Sequence, residues 1–298
     1  MFYFENINGK RILKSDFIKD VEAFFTTRDL CLCDKENDKN IEILNNREII
    51  SKHLKIDKNK FIYPEQTHSA NIDIAIETRQ DYPDCDALIL TQKNLGIFLN
   101  FADCTPIILY DKIQNIGAIA HAGWRGTAQK IAPLTAQKLV ENFNSKIENI
   151  IAIIGPAIGF CCYNVGQDVY EKLSKTVSNF EGLFEIRNGE IFVDLKGINK
   201  RQLEEIGIQK IDVCPYCTVH NNDLFYSYRN ESGTGKRHSA VLKLQNEQYW
   251  PPPLNPLPLG AGINLLRYLC KKLKSEKLTN TTKVMFIKLL RLQNILKI

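Results

Sequence analysis

Three residues of this chain carry side chains that bind soft metal ions, and each lies in a distinctive local sequence. His68 stands in QTHS, Cys104 in FADCTP and His121 in AHAGWRG. Two imidazoles and one thiolate bind zinc tetrahedrally and leave one coordination position free, as in zinc sites that do chemistry. Zinc in such a site activates a bound water or polarises a substrate atom. We therefore predict a catalytic metal centre, which indicates an enzyme.

Short apolar runs around these residues predict the strands that position them. Ile116–Ala120 alternates and ends directly at His121, while Ile97–Asn100 and Ile107–Tyr110 flank Cys104. The strand before His121 would therefore deliver that histidine to the edge of a sheet.

A tight turn and a mixture of further elements follow His121. Gly123 and Gly126 allow the turn, and Thr127 is predicted to cap a helix. Further predicted strands are Ile150–Ile154, Val193–Leu195, Ile211–Cys214, Leu224–Tyr228 and Ser239–Leu244, and helices are predicted to start at Val165–Leu173 and to run through Leu203. The elements do not alternate regularly, which favours an α+β fold over a doubly wound sheet.

The order of the motifs along the chain points to one family. FTTR at Phe25–Arg28 is followed by QTHS, DALILT, ADCTP, HAGWRG, IGPAIGFCCYNVG at Ile154–Gly166 and CTVHNNDLFYSYR at Cys217–Arg229. This series resembles the laccase-domain family of bacterial proteins, formerly called multicopper polyphenol oxidases and now described as zinc-dependent purine nucleoside enzymes or peptidoglycan editing factors. The resemblance runs from about Phe25 to about Leu244.

The resemblance implies both a fold and an activity. The family fold is a single catalytic domain with two mixed β-sheets sandwiched between helical layers. The implied activity is phosphorolysis of adenosine, inosine and methylthioadenosine, with adenosine deaminase activity in the same site. Zinc is the implied cofactor, and the older family name adds copper. The expected partners are small-molecule purine nucleosides and phosphate, while the oligomeric state stays open.

The family motifs also suggest roles for individual residues. The metal ligands would be His68, Cys104 and His121; the catalytic residues Cys104, His121 and Arg125; and the substrate-binding residues Arg47, Arg229 and Tyr226. Arginine suits phosphate because its guanidinium donates two parallel charge-assisted hydrogen bonds. Arg125 is the first choice, since it follows His121 on a glycine-flanked turn that opens a helix.

Composition bounds the remaining properties of the chain. Nine cysteines in 298 residues, with no signal peptide and no long apolar run, favour a cytoplasmic location. The chain is predicted to divide into a catalytic domain, residues 1–245, and a proline-rich linker with a lysine-rich extension, residues 246–298. Much of the positive charge lies in that extension, so a nucleic-acid partner is not expected. The extension could touch a membrane surface weakly.

Other readings of the same residues stay open. Cys104 could be a nucleophile with His121 as its base, in a hydrolase that edits peptidoglycan precursors. Copper-dependent polyphenol oxidation would need many more histidines than the five present. A metal-binding protein without turnover is the non-enzymatic alternative. The known zinc nucleobase deaminases carry a Glu in an HxE motif, and none follows His121, so the acid/base of a deamination is unassigned.

The remaining cysteines and histidines are expected to be structural. Cys161 and Cys162 are predicted to be ordinary packing or surface residues, CPYC at Cys214–Cys217 is a weak metal signal, and His220 and His238 are left out of the metal set. The segment after Arg28 lacks a glycine-rich loop that the family usually carries, which affects the pocket and substrate range.

Overall fold

A computed structural model describes residues 1–245 of the chain. The strands are β1 (Phe2–Ile7), β2 (Lys10–Ser15), β3 (Glu22–Thr26), β4 (Cys33–Asp34), β5 (Phe61–Ile62), β6 (Ile72–Ala75), β7 (Ala87–Leu90), β8 (Gly96–Phe101), β9 (Thr105–Asp111), β10 (Ile116–Ala122), β11 (Ile150–Ile154), β12 (Asn164–Val165), β13 (Phe184–Arg187), β14 (Glu190–Val193), β15 (Lys210–Val213) and β16 (Lys236–Lys243). The α-helices are α1 (Ile41–Leu54), α2 (Trp124–Ala128), α3 (Ile131–Phe143), α4 (Gln167–Ser174) and α5 (Leu195–Glu205).

Two mixed sheets carry most of the strands. The first has the order β1-β2-β3-β16-β8-β5, with β4 also paired to β16, and the second has the order β15-β11-β9-β10-β7-β6. Most pairs are antiparallel, but β5 pairs with β8, β6 with β7 and β15 with β11 in parallel. A third, antiparallel sheet of β12, β14 and β13 was not expected from the sequence.

The two large sheets face each other and carry helices on their outer faces. Alternate residues of one strand point to opposite faces, so in β7 Leu88 and Leu90 join the core between the sheets while Ala87 and Ile89 lie on the other face. That outer face packs against α3 and α5, and the outer face of the first sheet packs against α1. The predicted α+β fold, two mixed sheets between helical layers, is confirmed.

Four local predictions differ from the structure. The strand predicted at Val193–Leu195 ends at Val193, because Asp194 caps α5 and Leu195 is its first residue. The segment Leu224–Tyr228 is a succession of turns, not a strand, because Leu224 and Phe225 donate their amides to the carbonyl of Asn221. Thr127 lies inside α2, whose N-cap is Gly123, and the next helix begins after Lys130. The helix predicted to start at Val165 begins at Gln167, since Val165 pairs in the third sheet.

The remaining predictions about organisation concern the C-terminal part of the chain. No helix within residues 1–245 is long and apolar enough to cross a membrane. The linker and extension predicted for residues 246–298, including the membrane-surface contact, lie outside the described residues.

Candidate metal centre and substrate cavity

Strand pairing brings Cys104 and His121 together. Cys104 directly precedes β9, and β9 pairs with β10 so that Thr105 is opposite Ala122 and Pro106 is opposite His121. His68 comes from the loop between β5 and β6. All three side chains therefore meet at one end of the second sheet.

The three side chains form a compact group of metal-binding atoms. Their ligand atoms all lie within 4.8 Å of one another. Cys104 Sγ is 3.7 Å from His68 Nε2, close to the edge of about 3.5 Å expected between a sulfur and a nitrogen on one zinc. The rings of His68 and His121 approach edge to face at 4.8 Å. The donor set, one thiolate and two imidazoles, fits a soft or borderline metal ion.

Asp86 fixes the orientation of the His121 ring through a hydrogen bond to Nδ1. Asp86 directly precedes β7, and its Oδ1 lies 2.7 Å from His121 Nδ1, while the His121 amide donates to the Asp86 carbonyl. The carboxylate also accepts the backbone amides of Thr67, His68 and Ser69. Because Nδ1 is engaged, Nε2 is the His121 atom left for a metal. A carboxylate in this position orients a histidine ligand and makes it more basic.

Burial and charge shift the pKa values of this group in opposite directions. Burial alone would raise the pKa of the Cys104 thiol, but the charge of His121 and hydrogen bonds from His121 and His68 outweigh it and lower that pKa to about 6. Burial alone would lower the pKa of His121, but the Cys104 thiolate and Asp86 raise it to about 9. Hydrogen bonds from His121 and Ser69 hold the pKa of Asp86 well below its usual range against the effect of burial. Without metal, the Cys104 thiolate therefore faces the His121 imidazolium at pH values between about 6 and about 9.

The backbone around the ligands is strained and leaves no spare room. His68 and Asp103 have φ values of 66° and 79°, which non-glycine residues adopt at an energetic cost. Asp103 is held there by Thr218 Oγ1, which donates at 2.6 Å, and by the Arg229 amide at 2.7 Å. A Cβ at Gly123 would lie 2.9 Å from Cys104 Sγ. Only a glycine lets the turn after His121 pass this close to the ligands.

The metal-binding group lies in the wall of a cavity of about 1050 Å³. This volume is at the upper end of the range for small-molecule sites, about 300–1,000 Å³. The lining includes Cys33, Lys35, Asp38, Tyr63, Gln66, His68, Asn100, Asp103, Cys104, His121, Trp124, Tyr163, Asn164, Tyr228, Arg229 and Arg237. The segment after Arg28, predicted to lack part of a family loop, contributes to the cavity through Cys33, Lys35 and Asp38.

The three arginines predicted to bind substrate differ in their positions. Arg229 lines the cavity and donates to Asn164 and to the carbonyl of Cys162. The Arg125 guanidinium is exposed and stacks on Trp124, whose ring lines the cavity, with 4.3 Å from Cζ to the ring centroid. Arg47 donates to the Leu32 carbonyl and to Asp38, so it supports a lining residue. Of the three, only Arg229 belongs to the lining of this cavity.

The aromatic residues before Arg229 also differ in burial and in what they contact. Tyr226 is buried, with its hydroxyl donating to the Arg28 carbonyl and the Arg28 guanidinium over its ring. Phe225 lies in the core between the sheets, whereas Tyr228 is 56% exposed and lines the cavity. The turns in this segment, in place of the predicted strand, decide which ring faces the substrate space.

Two residues of the centre were not singled out from the sequence. Asp86 and Asp103 both lie in family motifs. Asp103 directly precedes the ligand Cys104, and Asp86 directly precedes β7, which pairs with the strand that contains His121. A carboxylate placed immediately before a buried strand was the available signal for Asp86.

Fold and site together define the class of protein: a two-sheet sandwich with helical outer layers, in which strand ends hold a His/Cys metal-binding group in the wall of a small-molecule cavity. The chain belongs to the family described as multi-copper polyphenol oxidoreductase laccase, whose model matches residues 24–244. The resemblance stated from the motifs is confirmed.

The relatives of this chain are named as nucleoside enzymes. It is 29% identical over 246 residues to the purine nucleoside phosphorylase YlmD of Bacillus subtilis, covering 75% of this chain and 88% of that protein. It is 30% identical over 243 residues to the adenosine deaminase RL5 of an unknown prokaryotic organism, covering 72% and 92%. The crystal structure of YlmD from Geobacillus stearothermophilus matches with a TM-score of 0.74 at 28% identity, covering 79% of this chain and 96% of that one.

Proposed function

We propose that this protein is a zinc-dependent purine nucleoside phosphorylase, acting on adenosine, inosine and methylthioadenosine, that also deaminates adenosine. The observation that carries the proposal is the juxtaposition of a three-ligand metal group with the Arg229 side chain in one cavity wall. The names of the relatives support the same activities.

Zinc fits the ligand set better than the copper of the family's description. Three protein ligands with one position free are typical of catalytic zinc. A blue-copper site with the same His₂Cys ligands usually has a weak axial methionine, and no methionine of residues 1–245 lines the cavity. A trinuclear copper cluster would need more imidazoles, yet His53 lies against Glu22 and the buried His238 against the Pro156 carbonyl.

The residues of the cavity suit the two substrates of phosphorolysis. In this reaction a phosphate oxygen bonds to C1′ of the ribose, the bond from C1′ to the purine nitrogen breaks, and the purine takes up a proton. The Arg229 guanidinium provides a charge-assisted donor for phosphate, and Tyr228 offers a ring on which a purine can stack. Bound zinc would supply a Lewis acid or a water of lowered pKa. Asp86 keeps His121 oriented throughout.

A Cys–His hydrolase, as in peptidoglycan precursor editing, is a second candidate function. The observation that favours it is the lowered pKa of Cys104 beside His121, since a thiolate is the form of cysteine that attacks a carbonyl. The same two residues serve either role. Sensitivity to a chelator separates them, because a thiolate nucleophile works without metal.

The test is turnover of adenosine by the full chain, with and without phosphate, with zinc content measured on the same sample. We expect adenine and ribose 1-phosphate only when phosphate is present, and some inosine in either condition. Cys104→Ala should lose both the zinc and the turnover. Cys85→Ala, which removes a buried free thiol outside the metal group, is the matched control and should keep both.

Formation of neither adenine nor inosine by zinc-loaded protein would contradict the nucleoside-enzyme proposal. Turnover of a peptidoglycan precursor that survives chelation would support the Cys–His hydrolase instead.

A cytoplasmic location is also proposed, since the eight cysteines among residues 1–245 are free thiols.

A further inference from the structure

A second group of metal-binding side chains lies outside the catalytic group. Cys161, Cys162, Cys217 and His220 place their ligand atoms within 4.8 Å of one another. From the sequence, Cys161 and Cys162 were predicted to be packing or surface residues, CPYC with Cys217 was a weak metal signal, and His220 was left out of the metal set. The two pairs are separated by 54 residues, 163–216. The structure brings the two pairs together.

Parallel strands explain why the pairs meet. β11 and β15 are parallel neighbours, so the turns that follow them leave the sheet at the same end. The turns are joined by a bridge between Ala157 and Cys217 and by the Thr218 amide, which donates to the Ala157 carbonyl at 3.0 Å. Cys161 and Cys162 lie on the first turn, and Cys217 and His220 on the second.

The distances among Cys161, Cys162 and His220 are close to the edges of a tetrahedral site, and Cys217 Sγ lies within 4.8 Å of the other donors. Cys161 Sγ and Cys162 Sγ are 3.5 Å apart, and they lie 3.5 Å and 3.3 Å from the two ring nitrogens of His220. Zinc bonds of about 2.3 Å to sulfur and 2.0–2.1 Å to nitrogen give tetrahedral edges of about 3.8 Å and 3.5 Å. Cys161 faces His220 Nδ1 and Cys162 faces His220 Nε2, and only one of these nitrogens can bind the ion. The His220 ring must therefore turn so that this nitrogen faces both thiols when all four residues bind one ion.

The surroundings of the thiols suit a bound metal with thiolate ligands. The Gly159 amide donates to Cys217 Sγ at 3.2 Å, and a Cβ at Gly159 would lie 3.0 Å from Cys161 Sγ. Three thiolates and a divalent ion carry a net negative charge. Two guanidinium groups bind the carbonyls of the same turn: Arg187 at Cys161 and Arg229 at Cys162.

We propose that Cys161, Cys162, Cys217 and His220 form a second, closed metal site that binds zinc and fastens the turn after β11 to the turn after β15. Four protein ligands leave no position for substrate, so this ion is structural. Its effect reaches the cavity through the neighbouring residues. Asn164 follows the first turn and lines the cavity, and Thr218 donates to Asp103 beside the catalytic ligand Cys104.

Zinc stoichiometry of the full chain under reducing conditions tests the proposal. Wild-type protein should bind two zinc ions per chain and Cys104→Ala one. The double variant with Cys161→Ser and Cys162→Ser, two residues outside the buried core, should also bind one. Cys270→Ser, at the ninth cysteine of the chain, should keep both ions. Loss of the second ion in that variant, or a wild-type stoichiometry of one that falls to zero in Cys104→Ala, would overturn the assignment.

Cobalt provides a measurement that does not depend on the serine variants folding. Cobalt added to metal-free Cys104→Ala should give sulfur-to-cobalt charge-transfer absorption about three quarters as intense as that of metal-free wild-type protein given cobalt, because three thiolates bind at the second site and one, Cys104, at the first. Cys104→Ala without this absorption contradicts the proposal. The zinc and cobalt experiments both measure bound metal, so their outcome does not depend on whether the protein cleaves nucleosides.

Discussion

Asp86 Oδ1 and His121 Nδ1 lie 2.7 Å apart at the point where the start of β7 meets the end of β10, and both residues are buried. This pair fixes which histidine nitrogen can bind a metal. Asp86→Asn should lower zinc affinity by about 10- to 100-fold, because the amide no longer stabilises a basic imidazole. A chelator competition measures the change. Asp84→Asn, on an exposed neighbour that contacts Thr67 and Asn71, is the matched control and should have little effect.

Gly123→Ala tests how closely the turn must pass the ligands. The new Cβ would lie 2.9 Å from Cys104 Sγ and 3.1 Å from His68 Cδ2, so both ligands must shift. We expect kcat/KM to fall by up to about 100-fold, since displacements near 1 Å cost this much. Gly166→Ala is the control for helix capping, because Gly166 also caps a helix and lines the cavity, but its Cβ would meet the Asp168 side chain and none of the metal ligands. Equal losses in both variants would point to helix capping as the cause.

Zinc affinity should depend on pH in two steps. Zinc must displace the His121 proton below about pH 9 and also the Cys104 proton below about pH 6. Affinity is therefore highest above the His121 pKa, falls about tenfold per pH unit between the two pKa values and about 100-fold per unit below the lower one. Competition titrations across this range measure the slopes. A constant affinity throughout would show that neither group is protonated in the metal-free site.

The positions of Arg229 and Arg125 give a direct comparison. Arg229→Met should raise the KM for phosphate by about 10- to 150-fold, corresponding to ~1.5–3 kcal/mol for a hydrogen bond to a charged group. Arg125→Met removes an exposed guanidinium stacked on Trp124 and should have the smaller effect. Steady-state kinetics with phosphate varied at saturating inosine decide between them. The reverse order would support the role that the sequence predicted for Arg125.

Removal of residues 249–298 should leave phosphorolysis unchanged. All residues of the metal group and the cavity lining named above lie within residues 1–245. Turnover and zinc content of the shortened chain, compared with the full chain, test this. A large loss of either would show that the extension contributes to the catalytic domain.

The sequence by itself determined the ligand types, the family and most of the strands around the site. His68, Cys104 and His121 were recognisable because each stands in a local motif, and strands such as β9 and β10 were predictable because apolar runs and alternation are local signals. The fold class followed from the irregular order of the elements. These features depend on residues close together in the chain.

Tertiary structure alone decided which residues share a site. Strand register pairs Ala87 with Ala120, which brings the preceding residue Asp86 beside His121, and no local pattern encodes a partner in another strand. The turns at residues 224–228 place Tyr228 in the cavity lining and bury Tyr226. The parallel pairing of β11 with β15 brings Cys161 and Cys162 to Cys217 and His220. These contacts join distant segments, so they depend on how the two sheets pair and pack.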